Sequence, residues 1–173
     1  MKTKRLVLIS LFAALMAVVS PFSIKIGPIP LSFATLMVMI TSFVLGNKDG
    51  VIVVFVYILL ALFGIPVLSG FNSGAAALFG MTGGYIFGFL FTAVFLAATR
   101  GEKYSFKRYA LLGCIVGIPL IYLPVFLQLK LGTGMPWDKA FMTGVLPFIP
   151  LDIVKCLAAA FLAGPIHRIF DHK

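Results

Sequence analysis

Apolar stretches of fifteen to twenty-six residues alternate along the whole chain with short breaks rich in polar residues, glycine or proline. A helix crossing the hydrocarbon of a bilayer needs about 20 apolar residues, within a range of about 17–25. The pattern predicts six such helices: Leu6–Phe22, Leu31–Leu45, Val51–Leu68, Tyr85–Thr99, Tyr109–Leu129 and Phe141–Ile166. Ala75–Gly84 is expected to extend the fourth backwards. No linker or low-complexity segment divides the chain, so residues 1–173 read as one all-α integral membrane domain.

Composition agrees with the pattern. The chain is 61% hydrophobic and 11% charged, against roughly 45–50% and about 25% in soluble domains. Its net charge of +9 lies at the ends of the apolar segments and is not interleaved with aromatics on a basic face, which speaks against nucleic acid. With both termini cytoplasmic, Lys2, Lys4, Arg5, Lys48, Arg100, Lys103, Lys107, Arg108, Arg168 and Lys173 fall inside. Only Lys25, Lys130 and Lys139 then fall outside. That bias satisfies the positive-inside rule and favours an even number of spans in a lipid bilayer.

The outer breaks are dense in helix-breaking residues. Gly27-Pro28-Ile29-Pro30 enters the second span, Gly64 to Gly74 follows the third, and Gly80-Met81-Thr82-Gly83-Gly84-Tyr85 comes soon after. Such backbone is tolerated at membrane depth where protein buries it or where it lines a cavity. These loops are expected to cap a ligand cavity.

The chemistry gathers in the last span. From Phe141 to Pro165 the only ionisable side chains besides Cys156 are Asp152 and Lys155. A charge at bilayer depth costs about 2.5–3.5 kcal/mol on insertion scales, so it usually faces a cavity or a partner. Three residues apart, the two share one face of a helix, and Pro150 suits its first turn. A purely structural ion pair is the competing reading. Ser32, Asn72, Thr82 and Tyr85 are candidate polar partners for a ligand, and Phe33, Phe71, Phe148 and Trp137 candidate apolar walls.

Enzymatic readings find no support. The Gly80–Gly84 stretch lacks the Lys and Ser/Thr of a phosphate loop, so ATP hydrolysis would belong to another polypeptide. Asp152 is the only acid inside a span, which leaves no carboxylate pair. His167 and His172 lie in the C-terminal tail, where solvated surface positions are expected. Cys114 and Cys156 read as small buried hydrophobes. No metal site or cofactor is expected.

Taken in order, Gly27-Pro28-Ile29-Pro30, Leu45-Gly46-Asn47-Lys48-Asp49-Gly50, Gly64-Ile65-Pro66-Val67, Gly80-Met81-Thr82-Gly83-Gly84-Tyr85 and Pro147 to Lys155 resemble the motifs of the BioY family. These are the biotin-binding S-components of energy-coupling factor (ECF) vitamin transporters. The resemblance implies six transmembrane helices, capture of biotin from outside, and association with a transmembrane coupling subunit and two ATPases. It assigns vitamin contact to Asp152 and Lys155. The family's Ala-x-x-x-Ala docking motif maps to Ala13 and Ala17. Asp152 suits the ureido N–H groups of biotin, and Lys155 either its carboxylate or its ureido oxygen. Three positions depart from the family pattern: Leu151 stands where Gly is usual, Met81 where Pro is usual, and Ala34 where Gln is usual. The alternatives are an S-component for another small vitamin or a precursor such as dethiobiotin, and a non-transporting membrane scaffold.

Overall fold

The computed structural model describes residues 2–26 and 29–171. Helix α1 (Lys2–Val19) ends where Pro21 removes a backbone donor. A two-stranded antiparallel hairpin follows, β1 (Ser23–Ile26) with β2 (Ile29–Ser32), in the register Ser23 to Ser32 and Ile26 to Ile29. The fold is therefore mostly helical, not all-α as expected from the apolar pattern. The missed signal has a period of two: Ile24, Ile26, Ile29 and Leu31 alternate with polar residues or proline, and Ile29 and Leu31 are the buried members of β2. Pro30 is acceptable there because the hairpin has only edge strands. The Gly27-Pro28 part of the expected outer loop lies outside the described residues.

Helix α2 (Ala34–Leu45) has only 12 residues, ten of them buried. At 1.5 Å per residue that is about 18 Å, short for a hydrocarbon crossing, but other helices surround it. Gly46, at φ +60°, makes the sharp turn into α3 (Asn47–Leu62). A Cβ there would collide with the Arg100 guanidinium.

The third apolar stretch becomes helix only as far as Leu62; residues 63–74 fold back over the end of the bundle. Gly64 and Gly74 N–H groups both donate to the Ala61 carbonyl, at 3.1 and 2.7 Å, which draws the two ends of the loop together. Gly70 N–H donates to Pro21 O at 2.9 Å and so ties the loop to the end of α1. Ala75–Phe79 forms a separate short helix, α4, instead of lengthening the next one. The turn at Gly80–Thr82 is held by Gln128, whose Nε2 donates to Gly80 O at 2.6 Å.

Helix α5 (Gly83–Thr99) packs closely on α7 (Ile118–Thr133). A Cβ on Gly84 would fall 2.5 Å from the Val125 backbone, and one on Gly88 would fall 2.5 Å from Ile121 O. This Gly-x-x-x-Gly pair is the small-residue seam that lets the two backbones approach. Helix α6 (Phe106–Leu112) runs through a π-helical turn at Gly113–Gly117 straight into α7. The wide turn precedes Pro119, whose nitrogen has no proton for the helical ladder. Helix α8 (Trp137–Gly144) is a short surface helix. Helix α9 (Ile149–Asp171) carries Pro150 and Asp152 in its first turn.

Among the described residues, two helices are long and apolar enough to cross a membrane, Phe106–Thr133 and Ile149–Ile169. The core is a contiguous apolar cluster centred on α2, with Met16, Val38, Met39, Phe43, Val53, Leu96, Val125, Cys156 and Ala160 all fully enclosed.

Candidate functional site

Proline at the start of α9 places Asp152 and Lys155 one turn apart, facing the N-terminal end of α2. Both are buried, Asp152 at 2% exposure and Lys155 at 9%. Lys155 Nζ donates to Asp152 Oδ1 at 2.8 Å, to Ser32 O at 2.7 Å and to Thr35 Oγ1 at 3.2 Å. An ammonium has three protons, and these three bonds account for them. Thr35 passes its own proton to Asp152 Oδ1 at 3.1 Å. The other carboxylate oxygen, Oδ2, accepts from the Tyr122 hydroxyl at 2.6 Å. Removing two opposite charges from water is tolerable only when both are matched and their remaining hydrogen-bond sites are filled. Here the charges are matched and every site is filled but one, on Asp152 Oδ2.

The pair forms one end of a cavity with about 560 Å³ of atom-free space, its mouth included. Its walls come from β2, α2, α3, the 63–74 loop, α5 and α9. Six of the expected binding residues line it: Ser32, Asn72, Thr82, Tyr85, Asp152 and Lys155. Phe148 lines it too, as expected of a wall. Tyr85 donates its hydroxyl to Gly144 O at 2.7 Å. Asn72 donates through Nδ2 to Ser69 O at 2.9 Å.

Three expected walls lie elsewhere. Phe33, at the N-cap of α2, is 41% exposed and outside the lining. Phe71 is 60% exposed and packs edge-on against Phe22 at 5.7 Å, a latch on the outside of the loop. Among the described residues it is the one non-glycine with positive φ, at 60°. Trp137 packs at a tilt on Phe126 and accepts a cation–π contact from Lys130 at 5.4 Å, outside the cavity lining. Large aromatics in outer loops signal apolar contact, but their direction depends on backbone turns that composition does not reveal.

Four hydroxyl-bearing contributors were not anticipated. Thr35 and Tyr57 line the cavity, Ser69 lines it with a buried hydroxyl that has no partner among the described residues, and Tyr122 stands behind Asp152. Thr35 carried a readable signal, a hydroxyl in the first turn of a mostly apolar helix, one residue from Ala34. Tyr122 carried none, because an isolated tyrosine in a span reads as packing. Of the three departures from the family pattern, only Ala34 lines the cavity. Leu151 and Met81 are each 40% exposed and outside its lining.

The docking candidates are placed unevenly. Ala13 is enclosed at 5% exposure within the chain's own core, whereas Ala17 is only half-buried. His167 also departs from expectation. Instead of a solvated tail position it is 6% exposed, with Nε2 3.0 Å from Arg100 Nη1 and 3.2 Å from the Tyr109 hydroxyl. His172 lies outside the described residues. Cys114 and Cys156 are free thiols, half-buried and buried.

A fold of this kind, with a matched ion pair under a loop-capped cavity, is that of a membrane substrate-binding component. It superposes with a TM-score of 0.84 on the crystal structure of the S-component for biotin from an ECF-type ABC transporter. The two are 26% identical, and the match covers 99% of this chain and 93% of the other. The probable biotin transporter BioY of Pyrococcus horikoshii is 39% identical over 163 residues, covering 94% of this chain and 96% of the relative. The biotin transporter BioY of Thermotoga maritima is 35% identical over 167 residues, covering 96% and 97%. The BioY family model matches residues 1–172, and the chain belongs to the BioY family.

Proposed function

We propose that this protein is the substrate-capture subunit of a biotin uptake system, binding the vitamin in the cavity above Asp152 and Lys155. The observation that carries the reading is the buried, matched pair at the end of a loop-capped cavity, in a chain of this family. Biotin suits such a site: an apolar bicycle and chain, with N–H donors and a carbonyl at one end and a carboxylate at the other. Asp152 supplies an acceptor for N–H. Ser32, Ser69, Asn72 and Thr82 supply neutral donors, and Phe89, Phe148 and Tyr85 supply apolar and aromatic contact.

In this reading the chain spans the membrane six times, as α1, α2 with its hairpin, α3, α5, α6–α7 and α9, with both termini cytoplasmic. The basic residues at the α2–α3 and α5–α6 turns lie on the same side as the start of α1. The sequence has no nucleotide-binding loop, so energy for uptake comes from a transmembrane coupling subunit and two ATPases. The exposed side of α1 is the docking face, and of Ala13 and Ala17 it is Ala17 that is reachable from outside the chain.

Direct binding of labelled biotin to the purified protein is the test. The expected Kd lies below the micromolar range, with at least a hundredfold loss in Asp152→Asn. A micromolar or weaker Kd that Asp152→Asn leaves unchanged would falsify the assignment. A thermal-shift screen that includes dethiobiotin and other small vitamins would then identify the ligand.

A further inference from the structure

We propose that Tyr122 is a positioning residue that sets the direction in which Asp152 offers its one free acceptor site to the ligand. This rests on the capture reading, which makes Asp152 a binding residue. An ionised carboxylate has about four lone-pair sites, two on each oxygen. Oδ1 uses both of its own, one for Lys155 at 2.8 Å and one for Thr35 at 3.1 Å. Oδ2 uses one, for the Tyr122 hydroxyl at 2.6 Å, the shortest of the three. The remaining site therefore lies on the oxygen that Tyr122 holds.

Tyr122 does not line the cavity. It reaches the carboxylate from α7, outside the lining, and leaves the cavity side of Oδ2 for an N–H donor. The phenol is itself fixed. It is 5% exposed and meets Tyr85 edge-on at 6.2 Å and 82°. Tyr85 is anchored through Gly144 O, and the Gly84–Gly88 seam holds α5 and α7 at the distance this stack needs. Without the hydroxyl, both sites on Oδ2 are open and the carboxylate is held through Oδ1 alone.

The test is Tyr122→Phe, which removes one atom from a packed ring. Biotin Kd is expected to rise about tenfold or more, as for loss of a hydrogen bond to a charged group. The melting temperature of the unliganded protein is expected to change by only a few degrees. Infrared spectra of protein labelled with 13C-aspartate supply the readout that a packing role would not move. The Asp152 carboxylate band, identified by its loss in Asp152→Asn, is expected to shift in Tyr122→Phe. Tyr104→Phe, whose hydroxyl bonds Ala160 O and neither carboxylate oxygen, is the control and should leave the band in place. An unmoved band in Tyr122→Phe overturns the proposal whether or not biotin is the ligand. A shifted band with unchanged affinity for a ligand that wild type binds overturns the positioning role. Failure of wild type to bind biotin sinks the capture reading alone, and the affinity arm then uses whichever vitamin the thermal-shift screen returns.

Discussion

Two polar clusters join α2 to α9 near opposite ends of the pair, one holding buried charges and one a half-buried charge, and they accommodate charge differently. At one end Thr35 of α2 meets Asp152 and Lys155 of α9; at the other, Phe43 and Val44 of α2 meet His167 of α9 through Arg100. The first cluster contains a cation and an anion. The second contains a cation and no acid: Arg100 Nη1 donates to Phe43 O at 2.5 Å and Val44 O at 2.9 Å, the carbonyls left over at the end of α2. The two protons of Nη1 are met by these carbonyls, and His167 Nε2 lies 3.0 Å from both Arg100 Nη1 and Phe43 O. Tyr109 stacks on Phe43 at 4.7 Å and closes the site with rings.

The difference separates a binding site from a fastener. Around Arg100 the groups bond to protein, and none of Arg100, Phe43, Val44 and His167 lines the cavity above Asp152. Around Asp152 the ion pair is matched, yet one acceptor site and several hydroxyls remain uncommitted, and they face open space. Burial of charge alone therefore does not mark function. Unfilled hydrogen-bond capacity beside a cavity does.

Breaking each cluster sharpens the contrast. Lys155→Ala strands a buried carboxylate and is expected to have the largest effect. Stability should fall by roughly 3–5 kcal/mol, as measured for broken buried pairs, with biotin binding lost. The double variant Asp152→Asn/Lys155→Met leaves no stranded charge and should unfold later than Lys155→Ala while still failing to bind. If the double variant is the less stable of the two, the pair's matched charge is not the reason for its cost.

Arg100→Met tests the other end. Removing donors to the last α2 carbonyls should cost about 2–3 kcal/mol, on the scale of bonds to charged groups, and lower the melting temperature. Biotin affinity should stay within about threefold, because the cluster contributes nothing to the cavity. A tenfold loss of affinity would mean that the two ends are coupled through α2 and would end the contrast drawn above. Thr35→Val is expected to have the smallest effect on stability, about 1–2 kcal/mol. It removes the bridge between Lys155 and Asp152 while keeping the shape, so affinity should fall more than stability does. Equal proportional losses would make Thr35 a structural residue only.

Much of the site was legible because charge in hydrocarbon has few explanations. Asp152, Lys155 and the Gly/Pro-rich loops each stand out from an apolar background, and Ser32, Asn72, Thr82 and Tyr85 came with them as neighbours of those loops. The hairpin was hidden because a four-residue strand of alternating isoleucines looks like the edge of a span. His167 was misjudged for a related reason. Nearness to the chain end suggests solvent, but α9 continues to Asp171 and carries the ring back against α6.

By itself, then, the sequence determined that the chain is built of apolar helices, which segment carries the ion pair, and which family motifs recur in order. These are consequences of composition, period and spacing, which act along the chain. Tertiary structure alone decided which oxygen of Asp152 each partner holds, that Lys155 spends its protons on Ser32, Thr35 and Asp152, and that Phe71 and Trp137 turn away from the cavity. Those outcomes depend on how closely α5 meets α7 and on where α2 ends against Arg100. Such distances between elements far apart in sequence are set by packing, and no local pattern encodes them.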